Sequence, residues 1–402
     1  MLTRMLATCV AALTIATAGT VGAGAAEAQK QTVKVGAIMA INTGGGAISV
    51  GDQAAALEAS VDAFNKRSKT VELDLTVCDS EGDANKEAAC ARELVDEGVV
   101  ATLSDITLAN AAAVNELLVP AGISRIGLQP SGLPDYQSAV VFPFVAGPVG
   151  QYATIGTELA KKGKTKLALI RPDLASAAAL KGFLEPAIKK GGAEFVADIP
   201  VPTGATDYSP FVTAATSAGA EGVLIALSED TAKQFLTAAL QLNADFTVGT
   251  TAGNFPVNEL KKLMPITKGA VIIDSLPAAS VSEKQFPALK QFKADMKAAK
   301  DPALAPDKLK TTHMRSWVSV LAFGKFIEGL DTIDAASVLA SVKAAQDVDL
   351  DGLTSPWTPS NPGPTDLFKQ ISQPDVWVMS FDGKKITLKE PAVNGYSGFQ
   401  TT

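Results

Sequence analysis

Strand-like and helix-like segments alternate along most of this chain, one pair roughly every 25 to 30 residues. The run TVKVGAIMA from Thr32 is apolar and β-branched, and the segment after it repeats apolar residues at Leu57, Val61 and Phe64. That i, i+4, i+7 spacing marks one face of a helix. The same unit recurs from Val71 onwards. Such alternation is typical of a mainly parallel sheet with helices on both faces.

Past residue 147 the series of strands and helices restarts, beginning with the helix pattern YATIGTELAKKG and the strand pattern KLALI. A mature chain of about 370 residues also exceeds what one hydrophobic core usually serves. The fold class expected is therefore α/β, with two doubly wound, mainly parallel lobes.

Two local signals predict where elements begin, end or turn. Asp83 stands where it can cap the helix ANKEAACARELVDEG, and Gly98 stands where it can end that helix. Near the C-terminus, DVWVMSFDGKKITL predicts a β-hairpin that turns at Asp382 and Gly383.

The first 28 residues have the pattern of a secretory signal peptide. Arg4 precedes a short apolar run, and small residues lead to a cleavage signature that ends at Ala28. We therefore expect an exported protein in the periplasm or at the cell surface. Cys9 follows a segment that loosely resembles a lipoprotein cleavage box, which leaves a lipid anchor as the alternative.

Two of the three cysteines remain after such cleavage, and they lie twelve positions apart around a run of acidic residues. In an oxidising compartment, Cys78 and Cys90 predict a disulfide; two buried thiols are the alternative. Their bridge would fasten a strand to the following helix and leave the acids in the intervening loop facing solvent. A metal site is not expected, because the chain has a single histidine and no CxxC motif.

Composition excludes several classes of function. The isoelectric point is about 5.0 and no basic cluster stands out, which argues against nucleic acid as a partner. No GxGxxG or P-loop motif is present, so no nucleotide cofactor is expected. No GxSxG elbow or cluster of metal ligands is present either, so we do not expect an enzyme.

The order of four segments, GDQAAALEASVDAFN, LTVCDSEGDANKEAACARELVDEGV, VPAGISRIG and TDYSPFV, resembles the type I periplasmic binding proteins that serve ABC importers of branched-chain amino acids. The resemblance spans nearly the whole mature chain. It implies two lobes joined by three crossovers, near Gly147, Asp274 and Trp357. One lobe would hold residues 33–147 and 275–356, and the other residues 148–274 and 357–402.

In open parallel sheets a ligand binds beyond the carboxyl ends of the strands, where helix N-termini favour anionic groups. The loops after the predicted strands therefore supply the candidate contacts. They carry Thr107, Asn110, Gln129, Ser131, Ser176, Ser228, Glu229 and Thr251. Hydroxyls and main-chain amides hold a carboxylate in the family that the chain resembles. Asn110 has a helix cap as its alternative role, and Ser131 a turn.

Thr251 departs from the pattern of amino-acid-binding members, which place an acid there to pair with the ligand's ammonium. Either Glu229 or Asp230 supplies that charge, or the ligand has no free amine; we favour the second interpretation. Arg315, near His313 and Trp317, is either an anion contact or a solvated arginine. Gly44–Gly46 predict a flexible turn over the mouth of the cleft.

The resemblance implies a receptor that captures a small solute, such as a branched-chain amino acid or a related carboxylate or amide, by hinge closure. We expect a monomer that delivers this solute to an ABC permease in the membrane. The alternative is a secreted receptor that reports to a separate sensor protein.

Overall fold

The computed structural model describes residues 30–43 and 48–399, without the side chains of Ala175 and Ser176. The predicted signal peptide, its Cys9 and the Gly44–Gly46 turn lie outside the described residues. No helix in the described part of the chain is both long and apolar enough to cross a membrane.

The first part of the chain forms a five-stranded sheet in which neighbouring strands are parallel. Its spatial order is β2-β1-β3-β4-β5, so the direction of winding reverses between β1 and β3. The strands are β1 Gln31–Met39, β2 Val71–Asp79, β3 Ala101–Leu103, β4 Ser124–Ile126 and β5 Val141–Phe142.

The second sheet has seven strands in the order β12-β11-β10-β9-β8-β6-β7. Its parallel part, β7-β6-β8-β9-β10, repeats the winding of the first sheet and reverses between β6 and β8. The prediction of a second lobe of the same kind is therefore confirmed. The strands are β6 Lys166–Pro172, β7 Glu194–Val201, β8 Gly222–Ile225, β9 Thr247–Thr251, β10 Val271–Asp274, β11 Asp375–Phe381 and β12 Ile386–Asn394.

Helices connect and cover these strands. They are α1 Gly51–Arg67, α2 Ala84–Glu97, α3 Ala111–Ala121, α4 Leu133–Gln137, α5 Gly147–Lys161, α6 Ala175–Ala178, α7 Leu180–Lys190, α8 Ser209–Ser217, α9 Glu229–Gln241, α10 Val257–Lys262, α11 Ala288–Ala298, α12 Thr311–Ile327 and α13 Ala335–Ala344. The long helix α12 follows the second sheet in sequence, yet it packs against α1 and contacts β3 and β4 of the first sheet.

The local signals read from the sequence are confirmed. The carboxylate of Asp83 accepts hydrogen bonds from the amides of Asn85 and Lys86, both at 2.9 Å, and caps α2. Gly98 ends α2 with a φ of 74°, in the left-handed region that glycine adopts without strain. Strands β11 and β12 form the predicted hairpin, in which Phe381 pairs with Ile386 across the turn.

The predicted disulfide is also present. Cys78 near the end of β2 is bonded to Cys90 in α2, with their Cα atoms 5.6 Å apart. Contrary to the prediction, the acids around this disulfide do not all face solvent. The Asp79 carboxylate, partly buried, accepts hydrogen bonds from the amides of Ile41 and Asn42 and so fixes the segment after β1. The strand-loop-helix unit thereby supports the rim of the site described next.

Candidate functional site

A cleft of about 950 Å³ lies between the carboxyl ends of the parallel strands of the two sheets. Segments that follow β1, β3, β4 and β5 line it from the first sheet, and segments that follow β6, β8, β9 and β10 line it from the second. Ligands of open α/β sheets bind at such positions, where the winding reverses. The volume lies within the roughly 300–1,000 Å³ typical of small-molecule sites.

Several side chains that the sequence singled out line this cleft. Gln129 and Ser131 approach from the first sheet, and Ser228, Glu229 and Thr251 approach from the second. The loops after the strands therefore come together as the sheet topology requires. Contact between these side chains and a solute remains a prediction.

Two other candidates lie elsewhere. Thr107 is buried, and its hydroxyl accepts a hydrogen bond from Nη2 of Arg125 at 3.1 Å rather than lining the cleft. Asn110 caps α3, because its Oδ1 accepts from the amide of Ala113 at 3.2 Å. That is the alternative role left open for Asn110. The side chain of Ser176 lies outside the described residues.

Three amides of the turn before α3 already have an acceptor from the chain itself. The carboxylate of Glu87 in α2 accepts hydrogen bonds from the amides of Leu108 at 2.8 Å, Ala109 at 3.0 Å and Asn110 at 2.5 Å. Burial raises the pKa of Glu87, and these three donors oppose that shift. A carboxylate of the chain therefore occupies three amides of the loop before α3, in which the sequence predicted ligand contacts.

The starts of two helices also line the cleft. The sequence analysis did not predict most of these residues, because it considered the loops that follow strands. The first turn of α1 contributes Asp52 and Gln53, and the start of α12 contributes Thr311, Thr312 and Arg315. The only sequence signal for these two helix ends was the group of polar and aromatic residues around Arg315.

Arg315 is only 3% exposed, so its interpretation as a solvated arginine is wrong. Its Nη1 donates to Oε1 of Gln129 at 2.8 Å, and its Nη2 donates to Oε1 of Gln53 at 2.7 Å. Its Nε is buried and has no hydrogen-bond partner among the described residues. Burial lowers the pKa of Arg315 to about 10, opposed by the charges of Asp274 and Asp105. The guanidinium is therefore cationic at neutral pH.

An ionic cluster joins the two sides of the cleft. Nζ of Lys310 lies 2.6 Å from Oδ2 of Asp52 in α1 and 2.7 Å from Oε2 of Glu229 in α9. Nε2 of His313 lies 3.0 Å from the same Asp52 oxygen, and Nζ of Lys233 lies 2.6 Å from Oε1 of Glu229. Burial raises the pKa of Asp52, but His313 and Lys310 outweigh it and hold that pKa well below its usual range.

Asp274, at the end of β10, is a buried acid whose oxygens are saturated by donors. Its Oδ1 accepts from Nε2 of Gln151 at 3.2 Å and from the amide of Ser275 at 2.8 Å. Its Oδ2 accepts from the amide of Gly253 at 3.0 Å and from the hydroxyl of Thr311 at 2.6 Å. Burial raises the pKa of Asp274, and these donors oppose the shift. The carboxylate therefore ties the end of β10 to the turn after β9 and to α12.

The model of the periplasmic binding protein family matches residues 32–380, most of the chain. This chain belongs to the periplasmic binding protein family. Members of this family bind small solutes outside the cytoplasm and work with ABC transporters. No protein of curated function matches the sequence.

Solved structures with the same fold are distant in sequence. The substrate-binding protein of an ABC transporter from Aeropyrum pernix is 15% identical with a TM-score of 0.76, over 91% of this chain and 96% of that one. A branched-chain amino acid ABC transporter protein from Thermus thermophilus with bound valine is 14% identical with a TM-score of 0.75, over 91% of this chain and 97% of that one. An R. palustris solute-binding protein in complex with 4-hydroxybenzoate is 17% identical with a TM-score of 0.70, over 90% of this chain and 97% of that one.

Beneath its cleft, this periplasmic binding protein has a buried ion-pair network. Nε of Arg125 lies 3.0 Å from Oδ2 of Asp105, and Nη1 lies 2.8 Å from Oδ1 of Asp135. Oδ2 of Asp135 accepts a hydrogen bond from the amide of Ser131 at 3.1 Å, and the Ser131 hydroxyl donates to the carbonyl oxygen of Thr107. The network therefore fixes the loop that brings Ser131 to the cleft.

Proposed function

We propose that this chain is the solute-binding protein of an ABC importer, which captures a branched-chain amino acid or a related carboxylate or amide. The observation that supports the proposal most is the cleft, which the carboxyl ends of two similarly wound sheets enclose. Its walls carry polar groups from both sheets among apolar side chains, as a site for a small organic solute requires.

We further propose hinge closure between a lobe of residues 33–147 with 275–356 and a lobe of residues 148–274 with 357–402. The first sheet ends at β5 and the second begins at β6, while α12 returns to α1; these features support the division. A solute that contacts both walls favours the closed form by its difference in affinity for the two states. Lys310, paired with Asp52 and Glu229, shows that side chains can bridge the walls.

The proposed role includes export, with residues 1–28 removed, and delivery of the solute by a monomer to a membrane permease. The binding protein itself would carry out no chemistry, since the importer's ATPase would drive transport. The retained Cys78–Cys90 disulfide fits an oxidising compartment.

Mature protein purified without denaturation should carry or bind a small organic solute. We expect mass spectrometry of the molecules released on denaturation to identify it, and we expect added solute at 100 times its Kd to stabilise the protein by about 2.7 kcal/mol. Thermal unfolding should then shift upward by several degrees. The proposal fails if nothing is released and no fraction of an extract of small metabolites raises the melting temperature.

A further inference from the structure

The carboxylates that line the described part of the cleft are already matched within the chain. Asp52 and Glu229 share Lys310, and Asp274 accepts hydrogen bonds from four donors. The side chain of Asp230 is 89% exposed and lies on the solvent side of the site. A ligand ammonium in the cleft would have to compete with these internal partners. Ion pairs match the charges of Asp52 and Glu229, and an ammonium at Asp274 would have to displace the neutral donors Gln151 or Thr311.

The main-chain amides of residues 108–110, in the turn before α3, cannot serve as the anion site while Glu87 holds them. The Glu87 side chain is fully buried beneath that turn and contacts three successive amides. A ligand carboxylate placed there would meet a like charge in a poorly solvated position. An anionic ligand must find its donors elsewhere in the cleft.

Donors without a matched acceptor lie one turn apart on α12. The Arg315 guanidinium reaches two neutral glutamine oxygens but no carboxylate among the described residues, and its Nε lacks a partner. The hydroxyl of Thr312 is likewise buried without a hydrogen-bond partner in the described structure. Residues three apart on a helix share a face, and both side chains line the cleft.

We propose that the cleft selects a carboxylate that has no free amine, and that Arg315 and Thr312 of α12 bind its carboxyl group. The inference rests on the proposed solute-binding function and specifies its ligand class. A guanidinium and a hydroxyl supply charge-assisted hydrogen bonds that fit a carboxylate. Gln53 and Gln129 hold the guanidinium in place and remain neutral, so they leave its charge for the ligand.

Apolar side chains supply much of the remaining lining of the cleft. Ile106 and Leu108 line the cleft from the first sheet, and Tyr152, Leu174 and Leu180 line it from the second. The Tyr152 hydroxyl donates to the carbonyl oxygen of Ile225 at 3.0 Å, so its polar end is already satisfied. The ligand class is therefore an acid with a compact hydrocarbon or aromatic body.

A matched set of probes separates the carboxylate from the amine. Isocaproate is leucine without its amine, and isocaproamide is the same body without the charge; benzoate and benzamide form an aromatic pair. Thermal unfolding and calorimetric titration of the mature protein should show stabilisation by at least one of the two acids. The corresponding amide and leucine should both bind at least about 100-fold more weakly than the acid. The amide lacks the negative charge, and leucine brings an ammonium that must compete with the internal partners of the cleft carboxylates.

Variants assign the binding to α12. Arg315→Gln should raise the Kd of the bound acid about 100-fold or more, Arg315→Lys by about 10-fold and Thr312→Val by several-fold. Lys325→Gln removes a cation of the same helix that pairs with Asp351 outside the cleft, and it serves as the matched control, with an unchanged Kd. Circular dichroism and the melting temperature without ligand would show that each variant is folded.

The outcomes distinguish this inference from the function on which it rests. Binding of leucine or of an amide as tight as that of the acids would overturn the inference and leave the proposed function intact. Acid binding that is unaffected by Arg315→Gln would do the same. If neither the probes nor a solute released from the native protein binds, the proposed function fails and the inference fails with it. A released solute that carries a carboxylate and no amine supports the inference, and one with a free amine contradicts it.

Discussion

Replacing Asp105 with alanine should lower the free energy of unfolding by about 3–5 kcal/mol, because it leaves three buried donors, on Ile38, Thr102 and Arg125, without their acceptor. The side chains of Asp105 and Arg125 are both completely buried and 3.0 Å apart. Without Asp105, the Arg125 guanidinium would keep only Asp135 as a counter-charge, and the amide of Ile38 would lose its acceptor. Urea unfolding followed by circular dichroism measures the change.

An exposed ion pair supplies the control for this prediction. Lys161 is 68% exposed and pairs with Glu158 on α5, so Lys161→Ala should change the free energy of unfolding by less than about 1 kcal/mol. Arg125→Met should cost at least as much, because it leaves the buried carboxylates of Asp105 and Asp135 without a counter-charge. An Asp105→Ala variant as stable as Lys161→Ala would contradict the role given to the network.

Removing the Cys78–Cys90 disulfide should lower the free energy of unfolding by about 3 kcal/mol on the chain-entropy model. The bridge closes a loop between residues twelve positions apart and fastens β2 to α2. The double variant Cys78→Ala, Cys90→Ala and the wild-type protein in reducing agent should unfold at the same urea concentration, below that of the oxidised protein. Two alkylatable thiols in unreduced mature protein would contradict the bridge.

Much of the fold follows from local rules that act within each unit of the sequence. The i, i+4, i+7 pattern in α1, the Asp83 and Gly98 signals around α2 and the Asp382–Gly383 turn depend only on neighbouring residues, and each appears as predicted. The restart of the pattern after residue 147 was enough to predict a second sheet of the same winding.

The site was harder to predict because its decisive contacts join distant parts of the chain. Glu87 reaches the amides of the turn before α3 from the preceding helix, and no spacing rule indicates that its carboxylate turns inward. Arg315 meets Gln129 across 186 positions in the sequence. A buried arginine without a carboxylate partner has the same sequence pattern as a solvated one. The burial of Arg315 depends on the packing of α12 against α1, which the local sequence does not indicate.

Hydrogen–deuterium exchange with and without the solute released from the native protein tests most directly whether both sheets enclose it. We expect slower exchange on both walls: residues 106–108 and 310–315 on one side, and residues 226–229 and 251–254 on the other. Protection confined to one wall, or found only away from these segments, would contradict a solute site between the two sheets.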